Sequence, residues 1–265
     1  MCFTQTESFV LICVGIALSC LLWPTWPHGD DKHHTRLFFI GVISYYVLME
    51  LLQFLTYFVV ADSLHDDANC NNIWNQVLTV LGIVHIAFQP FVNNFCLLDT
   101  VSSEERIGYK YIARLSFVGA LYFLSSFVTV YWFDEVYLTK QAYPKTDWLR
   151  GDRVCAYKDS SMLHFGWSLP MHSSTYFTPN TGLHAFMMFA PFFIRKSSVL
   201  NGLAMLLLGP VLAMYFTDNI HSQPAIWCFI SPLQILLGST PRLYKHYIKP
   251  RLAGAAAASH KPKKH

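Results

Sequence analysis

Of the 16 acidic residues in the chain, only Glu50 lies deep inside an apolar run. If that run crosses a bilayer, an ionisable group at its centre costs about 2.5–3.5 kcal/mol, and such groups face a partner or a wet cavity. The facing run carries His85, Gln89 and Asn93, four residues apart and therefore on one helical face. Gln53 and Tyr57 follow Glu50 at spacings of three and four and share its face. Counted from the helix ends, Glu50 and His85 fall at similar depth. A carboxyl and an imidazole placed so could move a proton, ligate a metal or grip a polar ligand. Pro90 sharpens the reading, because it cannot donate to the Ile86 carbonyl and so opens the backbone beside His85. The plainer alternative is an interhelical hydrogen bond of about 0.6–2 kcal/mol that only holds the helices together.

The elements that must position these groups follow from composition. The chain has 265 residues, 53% hydrophobic and 13% charged, against about a quarter charged in soluble domains. Apolar windows cover 8–23, 37–61, 73–98, 115–133, 177–194, 198–217 and 224–238. Most approach the roughly 20 residues needed to span a bilayer, and none alternates as a membrane barrel strand would. The expected fold is all-α, a seven-transmembrane-helix bundle over 1–251 with a disordered basic cytosolic tail at 252–265. The first window lacks a basic leader and ends in Trp23-Pro24-Thr25-Trp26-Pro27 rather than small residues, so it reads as a retained helix. Pro90, Pro191, Pro210 and Pro232 would kink four of the spans.

Charge sets the orientation. With the N-terminus outside and the C-terminus cytosolic, 14 of the 19 Lys and Arg fall inside, seven of them beyond residue 241. The other five lie in one long outer loop, about 134–176, where the positive-inside rule discriminates less. This distribution, with a net charge of only +3, assigns the cations to membrane sidedness and not to nucleic acid. Cys13, Cys20, Cys96 and Cys228 sit in spans as packing thiols. Cys70 and Cys155 both land outside, where they either pair as a disulfide over the second and third helices or remain two thiols.

Within the outer loop, the stretch 161–170 is apolar and aromatic but too short to cross, and it would serve as a re-entrant lid or an interfacial anchor. As a lid it lets His164 and Trp167 close the polar cavity from outside. His184, Asp218 and His221 lie at the same end, and His172 reads as an exposed loop residue. Glu50, His85, His164, His184, Asp218 and His221 have the donor atoms for a divalent metal such as zinc or iron, although no His-x-x-x-His, Cys-x-x-Cys or Glu-x-x-His spacing supports it. Nothing resembles a Gly-x-Ser-x-Gly nucleophile, so Ser125, Ser126 and Ser231 read as packing residues.

The strings Met49-Glu50-Leu51-Leu52-Gln53, His85-Ile86-Ala87-Phe88-Gln89-Pro90, His164-x-x-Trp167-x-x-Pro170 and Pro224-Ala225-Ile226-Trp227-Cys228 resemble those of a microbial family of multi-pass membrane proteins catalogued as a domain of unknown function. The resemblance spans most of 37–240. It implies no activity, but it implies cysteines at the positions of Cys70 and Cys155 and adds Trp227 to the candidate site. Where the family pattern has Asn-Glu before Pro-Ala-x-Trp-Cys, this chain has His221-Ser222-Gln223, which weakens the case for His221.

The expected function is an intramembrane enzyme or a binding site for a small amphiphile or lipid. In it Glu50 and His85, with His164, carry the chemistry; Gln53, Gln89, Asn93, Trp167, Asp218 and Trp227 position the ligand. The competing readings are a transporter or receptor-like protein using the pocket without chemistry, and a structural assembly partner. Lys261 and Lys263 form a dilysine-like pattern of the kind that retrieves membrane proteins to the endoplasmic reticulum, and the tail would be attracted to anionic lipid.

Overall fold

A computed structural model describes residues 4–23, 33–98, 101–128, 153–158, 164–170, 181–194, 199–218 and 222–252. The tail, including Lys261 and Lys263, His172, His221 and most of the 134–176 loop lie outside the described residues. Among the described residues the fold is all-α but for one small strand pair. In order the helices are α1 (Gln5–Leu22), α2 (His33–Thr56), the single turn α3 (Asp67–Cys70), α4 (Ile73–Leu97) and α5 (Arg106–Val128). After strands β1 (Cys155–Tyr157) and β2 (Gly166–Ser168) come α6 (Thr181–Ile194), α7 (Val199–Leu206), α8 (Leu212–Phe216) and α9 (Gln223–Leu243). A π-helical turn, Leu207–Val211, joins α7 to α8, and another, Tyr244–Ile248, extends α9.

Each apolar window thus holds helix. Three helices, α1, α4 and α5, are long and apolar enough to cross a membrane by length and composition, and shorter apolar stretches run through α2, α6, α7–α8 and α9. Helix α5 begins at Arg106, well ahead of its apolar window, because Ser102 and Glu105 form a cap. The Ser102 hydroxyl donates to Glu105 Oε2 at 3.1 Å and accepts from the Glu105 N–H at 3.4 Å. The same device starts α1, with Thr4 and Glu7 exchanging bonds of 2.9 and 3.2 Å, and Asn72 caps α4.

Small residues let the helices approach. A Cβ on Gly15 would stand 2.3 Å from Val47, and one on Gly119 would stand 2.8 Å from Met187, so α1 meets α2 and α5 meets α6 almost backbone to side chain. Many large apolar side chains face outward, among them Leu48, Leu51 and Leu55 on α2, Leu81 on α4, Leu203 on α7, and Leu207 and Leu208 in the π turn that follows it.

Prolines inside helices break backbone bonds, and neighbouring side chains mend them. Pro191 has no N–H for the Met187 carbonyl; Asn94 Nδ2, reaching from α4, donates to that oxygen at 2.9 Å and to Ser116 Oγ at 2.8 Å. Pro210 cannot serve Leu206, so the helix widens into the π turn, and Gln234 Nε2 on α9 donates to the adjacent Met205 carbonyl at 3.2 Å.

Within the described part of the outer-loop stretch, residues 164–170, the backbone forms the short strand β2. β2 pairs antiparallel with β1, setting Ala156 opposite Trp167. Phe165, Trp167 and Leu169 alternate toward the helices and are buried with Met49, Val60, Ile83, Ala156 and Ala225. The pair is fixed to the bundle by Asn75, whose amide oxygen accepts from Ala156 N at 2.8 Å while its nitrogen donates to the carbonyls of Ala156 at 2.9 Å and Val59 at 2.8 Å. Ala61 adds two backbone bonds, from its N–H to Ala156 O and from Lys158 N to its carbonyl. Cys70 and Cys155 form a disulfide, and Arg153 pairs with Asp67.

Two outcomes follow for stability. Asn94→Ala should cost about 1–3 kcal/mol, the penalty of leaving buried polar groups unmet. In a Pro191→Ala background, which restores a backbone donor to Met187, the loss should be smaller; thermal melts giving equal losses in both backgrounds would refute the repair. Asp66 caps α3, and the Asn69 side-chain amide, followed by the Asn69 and Asp62 N–H groups, holds its carboxyl below the usual 3.8. A depressed carboxyl stabilises above its unfolded value and ceases to as pH falls through the native one. Hydrogen exchange at Asn69 and Cys70, corrected for intrinsic rates, should accelerate below about pH 3.8 and show no such step in Asp66→Asn.

Candidate functional site

Helices α2 and α4 pack antiparallel, and two contacts set their register. Tyr45 stacks on His85 with ring centroids 3.7 Å apart, while Asn75 reaches the Val59 carbonyl. Even steps between these contacts bring Glu50 level with Leu81 and Gly82, about one helical turn from His85. The face of α2 that carries Glu50 is turned inward. Below Glu50, the Tyr46 hydroxyl is hydrogen-bonded by the side chains of Asn93 and Gln89; above it, Tyr57 meets Phe165 edge-on at 5.0 Å. Glu50 is 8% exposed and Gln53 is fully buried.

Gly82 is the floor of this region. The Trp167 indole lies across it, so that a Cβ there would come within 2.8 Å of Trp167 Cζ2. Met49 and Ile83 share the core around that indole. The Trp167 indole thus lies near the level of Glu50, and Thr79 is fully buried one turn above Gly82. Among the described residues Trp167 Nε1 has no hydrogen-bond acceptor although the side chain is 3% exposed.

His85 is occupied differently from the sequence expectation. Its ring is covered by Tyr45 and hydrogen-bonded to the Tyr45 backbone, and the Tyr45 hydroxyl donates to the His85 carbonyl. That carbonyl neighbours the one that Pro90 leaves without a donor. The opened backbone beside His85 is thus filled by a tyrosine from α2.

The remaining candidates divide. Gln89 and Asn93 meet at Tyr46, and Asn93 Nδ2 lies 3.3 Å from Met188 Sδ. Trp227 stacks on Phe189, next to Met188, at 5.8 Å and packs against Gly209 in the π turn. These residues line the lower half of the same interior. His164 is buried, its Nδ1 turned to the adjacent Phe165 carbonyl. Asp218 is exposed at the end of α8, and His184 is half-buried on α6. Among the described residues no three His, Cys, Asp or Glu side chains gather in a way that could hold a metal ion. His85 and His164 are turned to neighbours of their own.

Sequence reasoning missed Asn75 and Asn94. Each lies on the inward face of α4, but their partners are backbone groups 81 and 93 residues away. It also missed Tyr45 and Tyr46, which an inward-facing tyrosine pair opposite His85, Gln89 and Asn93 could have suggested.

Residues 6–248 match the model of a family described as a family of unknown function, DUF5765. No curated protein and no solved structure matches the chain.

Gly82→Ala should displace the Trp167 indole and destabilise by about 1–3 kcal/mol, the range for overpacking a filled core. Adding Trp167→Leu should recover part of that loss. Melting temperatures showing that the two substitutions simply add would mean the indole does not rest on Gly82.

Proposed function

We propose, for a chain that belongs to the family of unknown function DUF5765, a seven-span integral membrane protein whose α2–α4 seam binds the polar head of a small amphiphile. The observation that carries the reading is a buried carboxyl and carboxamide, Glu50 and Gln53, on the face of α2 turned toward α4, near the level at which the Trp167 indole lies across Gly82. The absence of a side chain at Gly82 lets the indole approach near the level of the carboxyl. Gln53 supplies both a donor and an acceptor beside it. Binding is favoured over catalysis because His85, the natural acid–base partner, is stacked on and hydrogen-bonded to Tyr45.

Several features support the membrane setting. Three helices have the length and hydropathy of spans, and four more carry shorter apolar stretches. Apolar side chains face outward along all of the long helices. The disulfide at the strand-pair end suits an oxidising, non-cytosolic side. Tyr247 donates to the Leu21 carbonyl at 3.0 Å, so the end of α1 and the basic extension of α9 share one end of the bundle. Arg106, Lys110 and Arg114 start α5 at the end remote from the strands, as a cytosolic face requires. A basic tail bearing Lys261 and Lys263 on that face is compatible with retrieval to the endoplasmic reticulum.

The test is retention. Protein purified into lipid nanodiscs and extracted for mass spectrometry should yield an amphiphile enriched over bulk lipid. Glu50→Gln should lower that retention about tenfold or more, since hydrogen bonds to charged groups contribute about 1.5–3 kcal/mol. Absence of any enriched species, or equal retention by Glu50→Gln, would overturn the reading.

A further inference from the structure

Resting on the membrane setting proposed above, but not on the α2–α4 seam, we infer a second and separate lipid site. The outer groove between α4 and α5 holds one anionic phospholipid of the leaflet remote from the strand pair, with its phosphate on Lys110 and Arg114. Two stripes build the groove. On α5, Lys110, Arg114, Phe117 and Leu121 follow at spacings of four, three and four, which places them in one line down the helix. All four are exposed. On α4, Phe88, Phe91 and Phe95 follow at spacings of three and four, and Phe95 is 57% exposed. The stripes meet at Phe117, whose ring centroid lies 5.8 Å from that of Phe88 and 5.2 Å from that of Phe91. Phe95 continues the row, 5.7 Å from Phe91.

Charge stands at one end of this row and hydrocarbon at the other. Asn94 bonds Ser116, so even steps along the antiparallel pair bring Arg114 level with Phe95 and set Lys110 a turn nearer the start of α5. Phe117 and Leu121 lie one and two turns deeper. Counting back from Val128 the roughly 20 residues that span hydrocarbon reaches Tyr109, so Arg114 falls about 7 Å inside that slab. An exposed guanidinium at this depth must extend toward the phosphate layer. No carboxylate meets it: among the described residues neither Lys110 nor Arg114 makes an ion pair. Glu105, in the cap of the same helix, precedes Arg114 by nine residues, about 13 Å along the axis.

That arrangement selects the head group. A zwitterionic head brings a cation of its own to a place where Lys110 and, one turn on, Arg106 already stand exposed. An anionic head brings none, and its phosphate oxygens match the fork of the guanidinium. The acyl chains then lie along Phe95, Phe117 and Leu121, which the bundle leaves uncovered.

The test uses the full chain in phosphatidylcholine nanodiscs containing a minority of phosphatidylglycerol with the same acyl chains. Native mass spectrometry of the released protein should show one phosphatidylglycerol retained in preference to phosphatidylcholine. Lys110→Gln with Arg114→Gln should cut that preference about tenfold or more, since each cation near an anionic surface is worth about 1 kcal/mol, or about fivefold. Lys110→Arg, which keeps the charge, should preserve it. Lys245→Gln with Lys249→Gln removes as many exposed charges from the extension of α9 and should leave it unchanged. A phosphatidylglycerol with a diazirine in its chain should label the peptides that contain Phe95 and Phe117. Equal loss in both double variants would reveal diffuse attraction to a basic face and overturn the site, as would labelling confined to other helices or no preference between the lipids. Displacement by millimolar inorganic phosphate would make it an ion site without a lipid, and a dimer that shields α5 and carries no lipid would make it a protein interface; either result overturns the proposal. The amphiphile sought at Glu50 is read in the same spectra and should persist in Lys110→Gln with Arg114→Gln, so either reading can fail alone. Failure of the chain to enter nanodiscs would refute the membrane setting that both share.

Discussion

Every backbone carbonyl inside an apolar bundle needs a donor, and this chain places prolines where donors are missing. That constraint organises the interior. Pro191 strands the Met187 oxygen and Asn94 supplies it; Pro210 forces a π turn and Gln234 serves Met205 beside it; Pro90 opens α4 and Tyr45 donates to His85. Asn94 serves the stranded carbonyl itself, whereas Gln234 and Tyr45 bond the carbonyl next to it; each donor comes from a different helix, so each is also a clamp. The prolines therefore do not merely bend helices. They turn a local defect into an interhelical bond, which is worth most where no water can substitute.

The same logic explains the strand pair. A strand inserted at the end of a helical bundle has two edges, and unpaired backbone there is costly when buried. Ala156 shows its N–H and carbonyl away from β2, toward α4, and Asn75 meets both with one carboxamide while Ala61 shares the carbonyl. One asparagine thus does the work of an adjacent strand. With that edge closed, the opposite alternation of Phe165, Trp167 and Leu169 can be spent on filling the helix ends. The disulfide then restricts where β1 can go when the bundle opens.

Much of this was legible in advance, and the reasons for the misses are physical. Helices occupy each apolar window because long apolar runs have few other ways to satisfy their backbone. The family was legible from four short strings containing Glu50, His85, Trp167 and Trp227. Sidedness brought Cys70 and Cys155 to one face before any coordinates did. What composition conceals is the partner of a polar side chain. His85 reads as a mate for Glu50 because both are titratable and similarly deep, yet Tyr45 is the residue that reaches it. The lid reads as an apolar run because the alternation Phe165-Gly166-Trp167-Ser168-Leu169 is only five residues long, and the period-two signal is easily lost within a longer aromatic stretch. Asn75 and Asn94 look like ordinary polar positions until the distant carbonyls they serve are in place.

Several of the buried polar residues are held by partners on other elements. Asn75 and Asn94 are bound to backbone, Tyr45 and His85 to each other, and Tyr46 to Gln89 and Asn93. Glu50 and Gln53 are buried on one face of α2, and Trp167 lies across Gly82 on α4 near the level of the carboxyl. A carboxyl kept at that depth costs stability that leucine would not. A carboxyl, a carboxamide and an indole held at similar depth within an apolar bundle are the chemistry on which the proposed recognition of a polar head rests.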